Sequence, residues 1–182
     1  SDGGGKLKNT PMAALYREKT WDALPDQKYW SEIFRVSKNQ VVFGANYFLE
    51  YLPSSRGFVC WDKKQDMPTL SACELIWTSF DCPAKIYRQS SQDLNRFHPT
   101  QKPQAMYKWL LSKFAKPGDR ILDTHGGSGS SMIACYDLGF DMDWIELDPD
   151  YFKAAKERFE RHKAQGQLFH ISETLPEQQK LF

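Results

Sequence analysis

RILDTHGGSGS, residues 120–130, is a short apolar run that ends on a carboxylate and then breaks into glycines. Ile121 and Leu122 lead into Asp123, and Gly126, Gly127 and Gly129 follow closely enough to let the backbone turn sharply. That order reads as a buried parallel strand, a tight turn and a helix expected over residues 128–138. In open α/β sheets ligands sit beyond the carboxyl ends of the strands, so Asp123 should face a crevice, with the first N–H groups of the helix aimed at its occupant. A second strand is expected at Trp144 and Ile145, ending on Glu146 and Asp148. Glu146 follows Asp123 at close to the roughly 20-residue spacing that lets an acid reach a ribose hydroxyl pair. Acids at two strand ends suit a cofactor with a ribose and a cationic amine.

The turn also discriminates between cofactors. GGSGS lacks the third glycine of the dinucleotide pattern, whose place is taken by Ile133 or its neighbours. A carboxylate immediately before the turn would be forced against a pyrophosphate of like charge. S-adenosyl-L-methionine carries no phosphate and does carry an amine.

The wider stretch, residues 98–148, adds a loop HPTQKP (98–103) and an amphipathic helix before the strand, and closes on DWIELDPDYF (143–152). HPTQKP, the aspartate-ended strand with its GGSGS turn, and E-x-D-x-x-Y together resemble the DNA amino-methyltransferases, which methylate adenine N6 or cytosine N4. The order is similar to that of the permuted class, in which the catalytic half precedes the cofactor half. Residues 21–53, 57–64 and 73–80 resemble its catalytic-half segments, so the resemblance runs from about Trp21 to Lys163. It implies an α/β fold with a doubly wound, mostly parallel sheet, Rossmann-like and of the S-adenosylmethionine-dependent methyltransferase type. It also implies DNA as substrate and partner, with adenine N6 favoured over cytosine N4. Thr100, Gln101 and Lys102 are then expected beside the methionine end of the cofactor, with Asp123, Gly127, Ser128, Gly129, Glu146 and Asp148 completing its site. A target-base pocket is expected at Asn46, Trp61 and Asp62, where Trp61 either stacks on an extruded base or is simply core.

Composition sets the outer bounds. The chain has 182 residues, 41% of them hydrophobic and 14% aromatic, enough for a folded globule read here as a single domain. No apolar run approaches the roughly 18 residues of a membrane span, and no charged-then-apolar leader opens the chain, so a cytoplasmic protein is expected. Cys60, Cys73, Cys82 and Cys135 lack C-x-x-C spacing, and reduced thiols without zinc are expected. The formal net charge of +1 announces no nucleic-acid partner, so local charge has to supply the attraction.

Along the chain, residues 1–10 read as a loop or an added end, and residues 11–20 as room for a short helix. Pro25 and Asp26 read as a helix start, with Tyr29, Trp30, Ile33 and Phe34 as its core stripe. Val41 to Phe43 and Phe58 to Trp61 read as buried strands, Tyr47 to Tyr51 as a helix stopped by Pro53, and residues 75–80 as a strand with Lys85 to Arg88 as its hairpin partner. Residues 65–97 occupy the slot of a target-recognition segment, with 21–64 before it as the catalytic-half segments, 98–164 after it as the cofactor half and 165–182 as a tail. Lys63, Lys64, Lys85, Arg88 and Arg96, with Gln65, Gln89 and Gln92, are candidates for phosphates and base edges, the alternative being a solvated surface. Residues 151–163 read as an amphipathic helix with Tyr151, Ala155 and Phe159 inward. In the tail, Gln178, Leu181 and Phe182 match the outer positions of a Q-x-x-L-F peptide similar to a sliding-clamp ligand, against the alternative of a frayed or packed end.

One motif of the family is absent. Its Asp/Asn/Ser-Pro-Pro-aromatic tetrapeptide accepts the hydrogens of the target amine and stacks on the base, and no such tetrapeptide occurs in these 182 residues. Asp148-Pro149-Asp150-Tyr151 has one proline and stands on the ribose side. In the permuted order the tetrapeptide belongs before Ser1, so an upstream segment or a second chain is expected to carry it, and the catalytic residues are unknown. The rival expectations are a cofactor- or DNA-binding remnant without catalysis and a nicotinamide oxidoreductase.

Overall fold

The computed structural model describes residues 24–66, 68, 70–93 and 96–173, with the backbone alone for 167–173. The chain forms two compact units that divide between Pro99 and Thr100, inside HPTQKP. The expectations for residues 1–20 and for the Q-x-x-L-F tail lie outside the described residues.

The first unit opens with helix α1 (Gln27–Val36), started as expected by Asp26, whose carboxylate accepts the Tyr29 N–H at 2.9 Å. Trp30 is its buried anchor, stacked on Tyr51 at 5.8 Å and tilted against Phe48 at 5.1 Å. Four strands follow: β1 (Val41–Phe43), β2 (Phe58–Asp62), β3 (Cys73–Thr78) and β4 (Lys85–Arg88), in the sheet order β1-β3-β2-β4. β3 runs antiparallel to both β1 and β2, and β4 runs parallel to β2, so three of the four strands point the same way. The alternation along β2 buries Val59 and Trp61 with Ile76, Trp77 and Thr78 of β3.

Two local expectations are corrected here. Lys85 to Arg88 is not a hairpin partner of the strand before it: β1 and β2 occupy both edges of β3, and β4 takes the open edge of β2 instead. Residues 47–51 do not form an α-helix; Ala45–Tyr47 is a 3-10 turn, and Tyr47, Phe48 and Tyr51 N–H groups all bond three residues back. Three-residue bonds of this kind are the tighter geometry that short connecting segments adopt.

The second unit contains α2 (Gln104–Phe114), β5 (Arg120–Asp123), α3 (Ser130–Leu138), β6 (Asp141–Trp144) and α4 (Pro149–Glu173). β5 and β6 pair in parallel, as the strand–turn–helix–strand reading requires, with Asp123 opposite Trp144. α3 crosses over between them and packs on α2, on β6 and on α4. Met106, Leu110, Ile133, Ala134, Cys135 and Ala155 form the buried core of this unit. Burial there pushes the Cys135 thiol up to about 11, which makes it an inert core residue at neutral pH. Among the described residues no helix is long and apolar enough to cross a membrane.

Candidate cofactor and target sites

The second unit brings the end of β5, the glycine turn and the residues after β6 into one hydrogen-bonded structure. Asp123 ends β5 and its two carboxylate oxygens are braced separately: the His125 N–H donates to Oδ1 at 3.0 Å and the Ser131 hydroxyl donates to Oδ2 at 2.6 Å. The strand pairing continues one step past β6, with the Ile145 N–H on the Asp123 carbonyl at 2.9 Å and the Gly126 N–H on the Ile145 carbonyl at 2.8 Å. Glu146 then reaches back across the turn. Its Oε2 accepts the Gly127 N–H at 2.7 Å and its Oε1 accepts the Asp148 N–H at 2.8 Å.

The turn needs its glycines for two different reasons. Gly129 starts α3 in the left-handed region, at φ +73°, where a side chain would be strained and would also crowd Ala155 Cβ at 3.2 Å. Gly126 has no positive φ, but a Cβ on it would lie 2.0 Å from the Trp144 indole. Trp144 therefore occupies the room that any other residue at 126 would use. The turn is buried from Gly126 to Ser131, so its backbone, not its side chains, is what it can offer a ligand.

Two side chains at this turn escape the sequence reading. Arg158 of α4 donates to the Ser128 carbonyl at 2.8 Å and stands 3.0 Å from the Ser130 hydroxyl, which itself lies 3.1 Å from Ser128 Oγ. Its charge groups it with the solvated face of residues 151–163, yet it lies three residues after buried Ala155, on the inward stripe by helical spacing. The second is Ser131, whose hydroxyl orients Asp123.

Asp148, expected with Glu146 at the cofactor, also caps a helix. It is buried, and its Oδ1 accepts the Asp150 N–H at 2.9 Å and the Tyr151 N–H at 3.2 Å, capping α4 with Pro149 in the first helical position. Of the loop residues, Gln101 is buried, Thr100 is exposed, and the Lys102 ammonium lies 3.4 Å from the Thr100 carbonyl; the loop leads into α2 through extended Pro103.

In the first unit, the shared direction of β1, β2 and β4 puts Asn46, Asp62 and Arg88 toward the same end of that sheet. Asn46 is exposed on the 3-10 turn, and Asp62 lies 3.5 Å from the Arg88 guanidinium. Trp61 falls to the core reading: it is 2% exposed, and its indole N–H donates to the Gln89 carbonyl at 2.7 Å, so it shows no open face to a base. Among the candidate DNA contacts, Lys63 pairs with Glu74 at 3.4 Å and lies over the Trp61 ring, Arg96 donates to the His98 and Pro99 carbonyls, and Gln65 donates to the Ser71 carbonyl. Lys64, Arg88 and Gln92 are exposed.

As for a fit to S-adenosyl-L-methionine, each oxygen of Glu146 has accepted one hydrogen bond and can accept another, which suits a pair of hydroxyls. Two carboxylates at the turn suit a cation and disfavour a phosphate.

Comparison with known proteins gives the family and the fold. The model of the DNA methylase family of N6 and N4 enzymes matches residues 15–157. The chain is 36% identical over 63 residues to the type II methyltransferase M.HpaI of Haemophilus parainfluenzae, a match that takes in 35% of this chain and only 20% of that protein. The chain thus spans about a fifth of the length of this curated relative. Among solved structures, the M1.HpyAVI–SAM complex superposes with a TM-score of 0.61 at 22% identity, over 72% of this chain and 80% of that one. TTHA0409 of Thermus thermophilus, solved with S-adenosyl-L-methionine, superposes with a TM-score of 0.54 at 21% identity, over 75% of each chain. The fold is the S-adenosylmethionine-dependent methyltransferase fold.

Proposed function

The chain belongs to the DNA methylase family, and on that premise we propose that it serves an enzyme transferring a methyl group from S-adenosyl-L-methionine to adenine N6 in DNA. The observation that carries the reading is the Glu146 bridge from the glycine turn to the segment after β6, beside a braced Asp123. Glu146, held by two backbone N–H groups, is oriented to accept both ribose hydroxyls. Asp123, held by His125 and Ser131, presents its charge to the methionine amine. Thr100, Gln101 and Lys102 flank the methionine end, with Gly127, Ser128 and Gly129 giving close backbone approach. The bound cofactor supplies a sulfonium methyl, an electrophile that needs no further activation. In the first unit, Asn46 and Asp62 are assigned to the target side.

The amine of the base is a poor nucleophile, and the contacts that improve it belong to the tetrapeptide these residues lack. Each such transition-state contact is worth on the order of 2–4 kcal/mol. Methyl transfer by these residues alone is therefore expected to be weak or absent, with cofactor binding retained; the alternative reading is a cofactor- or DNA-binding remnant. Cytosine N4 is the alternative target.

Calorimetric titration of S-adenosyl-L-methionine and of NADH into the chain and into Asp123→Ala tests the cofactor assignment. Stoichiometric binding of the sulfonium compound alone, lost in the variant, is the expected result; NADH binding would overturn it. Labelled-methyl transfer to unmethylated DNA, in the presence of a segment carrying the tetrapeptide, followed by nucleoside digestion, separates N6-methyladenine from N4-methylcytosine. No labelled base with the complete set would leave the binding-only reading standing.

A further inference from the structure

We infer that Arg158 is a positioning residue for the cofactor, a role that rests on the S-adenosyl-L-methionine reading of the glycine turn. From α4 it fixes the Ser128 peptide and, through Ser130, sets the Ser128 hydroxyl as a donor. One nitrogen of the guanidinium makes both contacts: Nη1 donates to the Ser128 carbonyl at 2.8 Å and to the Ser130 hydroxyl at 3.0 Å. On the other side of the same peptide, the Gly129 N–H donates to the Gly126 carbonyl at 2.9 Å. The planar Ser128–Gly129 peptide is thus held at its oxygen and at its nitrogen, and it cannot rotate without losing a bond. This is the peptide that enters the left-handed region at Gly129 and turns the chain into α3. Glu146 holds the preceding residue through the Gly127 N–H at 2.7 Å. The turn is therefore tied twice, by Glu146 from the segment after β6 and by Arg158 from α4.

The second contact sets the direction of a proton. An arginine donates and never accepts, so the Ser130 oxygen accepts from it and the Ser130 proton must go elsewhere. Among the described residues that proton has one acceptor, Ser128 Oγ at 3.1 Å. Ser130 donating there leaves Ser128 with its own proton to give, and the methionine end of the cofactor carries a carboxylate that accepts one. Ser128 and Ser130 are 4% and 2% exposed, so solvent competes little for these bonds. Arg158 itself is half-buried, on the stripe of α4 that buries Ala155. Packing alone at that place would be served by a long apolar side chain.

Calorimetric titration of S-adenosyl-L-methionine into the full chain compares wild type, Arg158→Met, Arg158→Lys and Ser130→Ala, with urea denaturation of each. Arg158→Met keeps a long apolar stem and removes both bonds, and should weaken binding about five-fold or more, the lower end of coupling between a remote group and a site. Arg158→Lys should recover most of that loss, because one donor nitrogen makes both bonds. Ser130→Ala breaks the relay and keeps the carbonyl bond, so its loss should be smaller, and combined with Arg158→Met it should add little. As a control, Phe159→Leu loosens α4 where it packs on Tyr136, and should lower stability with affinity unchanged. Wild-type affinity in folded Arg158→Met, an equal loss in Phe159→Leu, or full additivity with Ser130→Ala would each overturn the role. If Arg158→Met does not fold, Ser130→Ala decides alone, with wild-type affinity overturning the relay. A wild-type chain that binds no S-adenosyl-L-methionine would end the cofactor reading and this role with it, whereas binding unaffected by Arg158 would end the role only.

Discussion

Glu146 and Gly126 show at the scale of single residues how the cofactor turn holds its shape. Replacing Glu146 by Ala removes the acceptor for two backbone N–H groups, each of which costs about 1–3 kcal/mol if left dry. Glu146→Ala should therefore lose both cofactor affinity and stability, whereas Glu146→Gln, which keeps a carbonyl acceptor, should lose less of each; calorimetry and urea denaturation read the two separately. Gly126→Ala drives a methyl into the Trp144 ring and should destabilise by about 1–3 kcal/mol, the usual cost of overpacking. Trp144→Gly in the same chain should recover part of that loss, and a double-mutant cycle measures the coupling. An additive pair would show that the ring is not what requires a glycine there. Asp123 and Glu146 are legible in the sequence because strand ends and spacing mark them. The clash at Gly126 is not, since nothing local says that a tryptophan on the next strand turns over it.

At the scale of elements, the same four residues can be read in two ways, and Asp148-Pro149-Asp150-Tyr151 is the instructive case. An acid past a strand end looks like a ligand, yet an acid followed by proline is also the start of a helix, and the hydrogen bonds to Asp150 and Tyr151 show the second use. Asp148→Ala should cost about 0.5–2 kcal/mol of stability, measured by denaturation, with Asp148→Asn and Asp148→Ser largely rescuing it. Hairpin rules misplace β4 because they see only neighbours in sequence, while β3 has already given both edges away. The helices of the second unit meet at Asp137 of α3, which takes Lys108 of α2 and His162 of α4, each at 2.6 Å. Burial raises the Asp137 carboxyl, and the hydrogen bonds from Lys108 and His162 outweigh it and hold the group below its usual 3.8. A carboxyl depressed in the folded state contributes stability above its unfolded value, and that contribution is lost as the pH falls through the folded value. The stability gap between wild type and Asp137→Asn should thus be open at about pH 6 and close progressively below its ordinary value of 3.8. A gap unchanged by acid would mean that Asp137 acts through packing alone.

For the molecule as a whole, the charge balance constrains how DNA could be held. With a formal net charge of +1, long-range attraction is slight, and the phosphate contacts have to come from local cations. Of the candidate DNA contacts in the described part of the first unit, Lys63 and Arg96 are committed to Glu74 and to backbone carbonyls, which leaves exposed Lys64 and Arg88 and half-buried Lys85, each beside the end of a strand. On the proposed DNA reading these three would neutralise about three phosphates, and a log–log dependence of affinity on salt of about −0.9 per phosphate gives a slope of about −2.7. Affinity should then fall about forty-fold between roughly 50 and 200 mM salt. Lys64→Ala should reduce the slope by about one and weaken binding to every sequence alike, because a phosphate contact carries no base information. Arg88→Ala also releases Asp62 from its 3.5 Å partner, so its effect should exceed that of Lys64→Ala and reach the target side. A slope twice as steep would place the phosphate contacts on other cations of the chain, and a flat dependence would remove the first unit's strand ends from the DNA surface altogether.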